Sequence, residues 1–330
     1  MYALLRALAF RFEPERAHEL TLRALRAAHA LHLSGGRRVP RAAPVRLLGL
    51  EFASRIGLAA GFDKNGVCVE ALAALGFGFI EVGTVTPRAQ PGNPRPRLFR
   101  ERRARAIVNR MGFPNRGAAA LRRALEGRRG TVVCGVNIGK NAATPLAAAA
   151  ADYVAALRIV YDCADYVALN VSSPNTAGLR ELEQPEHLKP LLQAILGART
   201  ELATRTGRRV PLLVKLSPDL TDAALDATAA TLAELRIDGA IATNSTVQRP
   251  IAGLSSEAGG LSGPPLHPLA LRTVTRLRRL LGSEFALIGV GGIDSLAAAQ
   301  AMREAGADLL QLYTGLIYRG PRLVRDLSQL

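Results

Sequence analysis

The chain has 330 residues, 48% of them hydrophobic, and a formal net charge of +16 at pH 7. That length holds one large α/β domain or two ordinary ones, and no stretch of 18 or more residues is both apolar and uncharged, which excludes a membrane-spanning helix. The positive charge does not read as a nucleic-acid footprint: arginines are spread along the whole chain, aromatics make up only 5%, and without Trp there is little for bases to stack on.

Met1–Phe12 carries Arg6 and Arg11 but no small-residue cleavage site, so no secretory signal is expected. Cys68, Cys134 and Cys163 have no metal-ligand spacing and no pairing logic, and are expected to be buried free thiols in a reducing compartment, with no metal bound. Tyr2–Phe12 reads as a helix with Leu4, Leu5, Leu8 and Phe12 on one face. Pro14 starts a second helix, in which Leu22, Leu25 and Ala28 form an apolar stripe beside Arg16, Arg23 and Arg26. Residues 1–44 are therefore expected to form a separate amphipathic helical hairpin. It is either a cap over the bottom of the main domain or an interfacial anchor whose arginines face anionic lipid headgroups. Val45–Leu48 and Glu51–Ala53, joined at Gly49, read as a small β-hairpin.

After about residue 54, apolar β-branched runs alternate with Ala/Leu-rich stretches. The predicted strands are Ile56–Ala60, Phe79–Gly83, Val132–Ile138, Tyr166–Val171, Pro211–Leu216, Gly239–Thr243, Ala286–Gly289 and Ala307–Tyr313. Between them lie predicted helices Val67–Leu75, Gly117–Glu126, Ala147–Tyr161, Glu186–Thr206, Asp222–Arg236, Leu269–Leu281 and Ser295–Ala305. Eight doubly buried strands with helical crossovers predict a (β/α)8 TIM barrel over residues 45–330. An open doubly wound sheet is the alternative. It fits less well, because the polar and glycine residues follow strands all round the chain and not at one switch point.

A barrel of this kind builds its site from the loops after the strands. Five of those loops present Asn, which offers a donor and an acceptor without charge and suits a flat ligand whose edge alternates N–H and C=O. Of 43 Lys and Arg residues only four are lysines, and Lys64, Lys140 and Lys215 stand in Gly/Asn-rich or strand-end segments. A compact ammonium fits a single phosphate or ring atom better than an arginine fork, so the three are expected to share one site. Lys215 suits the electron-rich edge of a flavin, a salt bridge to Asp219 being the structural alternative. Gly289-Val290-Gly291-Gly292, before a helix starting near Ser295 and beside Tyr313-Thr314-Gly315, reads as a phosphate cradle. Ser173 stands on a loop stiffened by Pro174. His18, His29, His32, His187 and His267 all lie away from strand ends, so acyl-transfer chemistry lacks its base.

Six segments carry a resemblance: Ala59-Ala60-Gly61-Phe62-Asp63-Lys64, Glu81-Val82-Gly83-Thr84-Val85-Thr86-Pro87, Asn109-Arg110-Met111-Gly112-Phe113, Asn137-Ile138-Gly139-Lys140-Asn141, Asn170-Val171-Ser172-Ser173-Pro174-Asn175-Thr176 and Ile288-Gly289-Val290-Gly291-Gly292-Ile293. In this order they resemble the dihydroorotate dehydrogenase family, from about residue 45 to the end. The helical hairpin, and serine at position 173 where soluble members carry cysteine, are similar to its membrane-associated, quinone-dependent class 2. The resemblance implies an FMN enzyme that oxidises dihydroorotate to orotate in pyrimidine synthesis. Ser173 would remove the C5 proton while hydride leaves C6 for flavin N5. Lys64, Asn109, Arg110, Met111, Gly112, Phe113, Asn170, Asn175, Asn244 and Ser245 would meet the substrate, Ser245 replacing a threonine common in the family. Ala60, Gly61, Phe62, Asp63, Lys64, Thr84, Asn137, Asn170, Lys215, Thr243, Gly263, Gly292, Tyr313 and Thr314 would hold FMN. The hairpin would give a membrane quinone access and set the protein on an anionic surface at the cytoplasmic face of the inner membrane. An FMN barrel acting on tRNA is the rival the charge suggests, but such enzymes use a cysteine acid and no cysteine here follows a strand. A basic membrane-surface protein on an inactive barrel is the non-enzymatic alternative.

Overall fold

The computed structural model describes residues 2–32, 43–128, 130 and 132–330. Met1 and residues 33–42 of the expected 1–44 unit lie outside the described residues. Eight parallel strands close a barrel in sequence order: β1 (Ile56–Leu58), β2 (Phe79–Val85), β3 (Val133–Ile138), β4 (Tyr166–Asn170), β5 (Leu212–Leu216), β6 (Gly239–Ala242), β7 (Ala286–Val290) and β8 (Leu309–Leu312). Leu310 opposite Ile56 and Leu312 opposite Leu58 make the closure. Every residue of these strands is buried, because helices cover one face and the barrel interior the other. This is why the sequence shows continuous apolar runs and no alternation.

The covering helices are α3 (Val69–Ala73), α4 (Ala118–Glu126), α5 (Ala149–Val160), α6 (Pro185–Thr206), α7 (Asp222–Glu234), α8 (His267–Leu281) and α9 (Leu296–Glu304), preceded in the chain by α1 (Tyr2–Ala9) and α2 (Pro14–Ala30). Their starts follow local chemistry. Thr221 caps α7 by accepting from the Ala224 N–H, and Glu13 caps α2 by accepting from the Glu15 and Arg16 N–H groups.

The barrel interior is packed with rings that neighbouring glycines make room for. A Cβ on Gly57 would lie 2.3 Å from the Phe79 ring, and one on Gly135 2.0 Å from the Tyr166 ring. Beneath them, strands 45–47 and 50–52 form the expected β-hairpin and place Phe52 edge-on to Phe79, centroids 5.3 Å apart. This hairpin closes the barrel bottom, so the bottom-cap reading of the α1–α2 hairpin is corrected. The helical pair packs at the opposite end.

That end carries elements absent from the sequence reading. Strands 98–101, 106–109 and 260–262 make an antiparallel sheet, and α10 (Thr314–Arg319) and α11 (Pro321–Leu327) follow β8. The first strand lies in the Pro/Arg-rich 95–105 stretch and is only half-buried, so it has no periodic signature. The third joins the sheet from about 150 residues away. Arg95, Arg97, Arg100 and Arg102 of this stretch dock the helical hairpin, whereas Arg105 pairs with Asp294. Arg100 donates to the Phe12 carbonyl (2.8 Å) and Arg102 to that of Phe10 (2.7 Å), with Arg100 over the Phe10 ring at 4.5 Å. Tyr2 donates to the Ile317 carbonyl (2.6 Å), and Phe10 meets Tyr318 edge-on. Leu4, Leu5, Leu8 and Phe12 remain exposed, at 77, 58, 56 and 45%. Gly135→Ala is expected to displace Tyr166 and cost about 1–3 kcal/mol of stability, seen as a lower melting temperature. An unchanged melt would mean that the barrel interior has slack at this layer.

Candidate active site

The strand ends and the 98–109/260–262 sheet enclose about 1210 Å³ of empty space, part of it open to solvent.

After β1 the chain turns at Gly61 (φ +98°), and the Lys64 ammonium comes back to donate to the Gly61 carbonyl at 2.7 Å. Asp63 faces the other way and accepts from the Val67 and Cys68 N–H groups at 3.0 and 2.7 Å. Burial pushes its carboxyl up against the pull of those N–H groups. Phe62 packs edge-on between His18 and Tyr313. Phe62 and Asp63 thus shape the loop without lining the cavity, which Ala60, Gly61, Lys64 and Tyr313 do line. Burial lowers the Lys64 ammonium to about 8, opposed by the nearby Glu15 carboxylate.

The floor is a hydrogen-bonded set of polar side chains. Asn137 donates to Glu81 (2.8 Å) and accepts from Thr84 (2.6 Å). Asn170 donates to Thr84 (2.9 Å), and Asn244 donates to Asn170 (3.1 Å) and Ser172 (3.1 Å). Thr84, Asn170, Thr243, Asn244 and Ser245 reach the cavity, whereas Asn137 lies one layer below it. Lys215 lines the cavity with Glu81 as its ionic partner at 3.8 Å. Burial lowers the Lys215 ammonium while Glu81 raises it. The Asp219 pairing considered from sequence does not form, because Asp219 is taken by Arg180 at 2.9 Å. Lys140 departs from the expected cluster. It is buried outside the cavity lining, donating to the Thr144 carbonyl at 3.0 Å.

Ser173 is buried on the loop after β4, and its Oγ accepts from the Asn175 N–H at 3.3 Å. Among the described residues no imidazole or carboxylate is hydrogen-bonded to it. Opposite it, Asn175 donates to Asn109 (2.9 Å), Asn109 donates to the Gly260 carbonyl (3.2 Å), and the Asn175 Oδ1 is buried without a partner. Met111, Gly112 and Phe113 line this wall. Arg110 does not: it turns outward to Glu257 (2.5 Å) and stacks on Phe99.

At the far end, Gly263, Gly291 and Gly292 (φ +98°, +141° and +70°) give bare backbone beside Thr314 and Gly315. The helix expected to aim at this cradle, α9, does not line it and is capped by its own Ser295. The backbone turning into α10 is there instead.

Two lining residues missed from sequence come from α2: Glu15 and His18. Only spatial packing brings them, since neither follows a strand. Burial and Lys64 push His18 down to about 4, so it is neutral. Glu15 is held by Arg97 through two bonds (2.7 and 3.0 Å) and by Arg95 (3.0 Å), pinning the hairpin over the cavity. No cysteine lines the cavity, and burial pushes Cys68 and Cys163 up to about 12 and 11. Glu15→Ala is expected to leave Arg97 buried without its anion, costing about 3–5 kcal/mol and loosening the hairpin, measured as faster proteolysis within residues 2–32. Unchanged proteolysis would show that the ion pair does not hold it.

The family described as Dihydroorotate dehydrogenase matches residues 42–329. The chain is 51% identical over 333 residues to the Dihydroorotate dehydrogenase (quinone) of Chromobacterium violaceum, covering 100% of this chain and 97% of the relative. It is 50% identical to that of Paraburkholderia phymatum over 334 residues, again 100% and 97%. Among solved structures, DHODH from Eimeria tenella in complex with ferulenol superposes with a TM-score of 0.87 at 36% identity, covering 96% of this chain and 90% of the other. Its ligand-free form gives 0.88 at 37%, covering 96% and 93%. The matched span takes in the whole barrel and every barrel loop around the cavity, and the chain belongs to the dihydroorotate dehydrogenase family.

Proposed function

We propose that this protein oxidises dihydroorotate to orotate in pyrimidine synthesis, with FMN as its cofactor, Ser173 as the base at C5 and a membrane quinone as electron acceptor. The observation that carries this reading is one cavity lined by Ser173, by Asn109, Asn170, Asn175 and Asn244, and by the Lys64 and Lys215 ammonium groups.

The residues fit a flavin mononucleotide. A buried, unpartnered Gln311 Oε1 and the Lys215 ammonium offer an acceptor and a cation to a heterocycle edge. The glycine turn at 291–292, with Gly263 and Thr314, leaves bare backbone for a phosphate. Ala60, Gly61, Thr84, Thr243 and Tyr313 complete the holding set, supported from behind by Asn137, Phe62 and Asp63. When bound, FMN supplies the hydride acceptor. Lys64 holds the substrate carboxylate, and the asparagines meet its alternating N–H and C=O edge. A free hydroxyl is a weak base. Ser173 works on a fixed loop where the Asn175 N–H, already bonded to its Oγ, stabilises the negative charge that the oxygen carries as its hydroxyl proton passes to water in the solvent-open cavity and the C5 proton takes its place.

The acceptor side rests on the hairpin. Among the described residues no helix is long and apolar enough to cross a membrane. The exposed Leu4, Leu5, Leu8 and Phe12 suit the boundary of an anionic bilayer, with the barrel on its cytoplasmic side.

Purified protein is expected to be yellow and to bleach anaerobically with dihydroorotate; a folded protein that takes up no FMN would sink the reading. Ser173→Ala should slow bleaching by roughly 10²–10⁴-fold with flavin retained, and a parental rate removes Ser173 from proton transfer. Leu5→Glu with Leu8→Glu should weaken sedimentation with anionic vesicles severalfold. Full vesicle binding would reduce the outer face of the hairpin to a structural surface.

A further inference from the structure

Glu81 stands on β2, fully buried under the cavity floor. Its Oε1 accepts from Asn137 (2.8 Å) and faces the Lys215 ammonium (3.8 Å), and its Oε2 accepts from Tyr166 (2.9 Å) and Gln311 (2.7 Å). We propose that Glu81 is the positioning residue that fixes which ends of the floor amides are presented to the ligand.

Hydrogen-bond direction gives Glu81 this role. A carboxylate accepts and does not donate, whereas an amide can be turned to do either. Asn137 must therefore point its Nδ2 at Glu81, which turns its Oδ1 to Thr84. The Thr84 hydroxyl, with one proton, must spend it on that Oδ1 and can only accept from Asn170. Asn170 then turns its Oδ1 to the Asn244 amino group, whose other proton goes to Ser172. Each step follows from the one before, starting at Glu81; at the far end the Ser245 N–H, donating to Asn244 Oδ1 (2.8 Å), holds Asn244 in the same sense. A second branch obeys the same rule. Gln311 must donate its Nε2 to Glu81, which leaves its buried Oε1 without a partner in a residue that lines the cavity. What remains for a ligand is thus the second N–H of Asn170 and the Oε1 of Gln311. Glutamine at position 81 fills the same volume but can donate as well as accept, so the Gln311 branch and the Asn137 end of the first would no longer be set.

This rests on the reading of the cavity as a flavin and orotate site, and the test uses the flavin-loaded protein titrated with orotate, followed by flavin absorbance. Parent protein should give a saturable change; none would overturn the reading of the cavity and the proposal with it. Glu81→Gln should retain flavin and raise the orotate dissociation constant on the order of tenfold, the scale of one lost hydrogen bond. Adding Asn137→Asp moves the carboxylate one step along the series, again obliges Thr84 to donate, and should regain most of the lost affinity, which a merely structural role does not predict. Parental affinity in Glu81→Gln, or no recovery in the double variant, overturns the proposal. If Glu81→Gln fails to fold or to hold flavin, Thr84 decides. Thr84→Val, which breaks the relay, should bind orotate more weakly than Thr84→Ser, which keeps the hydroxyl, and equal affinities overturn the proposal.

Discussion

Closure of the barrel between β8 and β1 is the constraint on which the mouth depends. Leu310 and Leu312 pair with Ile56 and Leu58, leaving no free strand edge and bringing Tyr313 to the loop of Gly61, whose carbonyl its hydroxyl meets at 3.3 Å. Residues more than 250 positions apart thereby become two sides of one wall. The all-buried strands make this closure possible, and the ring–glycine packing of Phe79 with Gly57 and Tyr166 with Gly135 sets how tightly the strands draw together.

Charge is placed within that frame by geometry. Arginine forks bridge several acceptors at once. Arg278 spans the carbonyls of Gly282, Ser283, Phe285 and Gly306 and the Asp308 carboxylate. Arg97 joins Glu15 to the Pro91 and Asn93 carbonyls. Much of the +16 charge is thus structural fastening. The two lysines in the cavity stand where a single compact cation is wanted, Lys64 over a carbonyl and Lys215 over a buried carboxylate. Lys140 shows the limit of that inference, since a scarce residue type in a glycine-rich motif also serves as plain packing.

The helical hairpin connects the two kinds of order. Its inner face contributes Glu15 and His18 to the cavity, while Leu4, Leu5, Leu8, Phe12, Leu20 and Leu31 stay in solvent. The carboxylate that pins it to Arg97 lies near the Lys64 ammonium, so the hairpin and the cavity cation share one electrostatic environment.

The sequence by itself determined the barrel, the bounds of its strands to within a residue or two, and the loops that carry Ser173, Lys64, Lys215 and the asparagines. Continuous apolar runs and the polar residues just after them are local signals, and strand order follows chain order. Tertiary structure alone decided that Glu81 and not Asp219 meets Lys215, that Arg110 turns away from the cavity, that Arg95, Arg97, Arg100 and Arg102 hold the hairpin, and that Glu15 and His18 join the site. Each of these depends on which of several similar partners comes within about 4 Å when distant segments pack. That choice is made by side-chain volume and by the cost of leaving a buried charge or amide unpaired, neither of which is written in residue spacing.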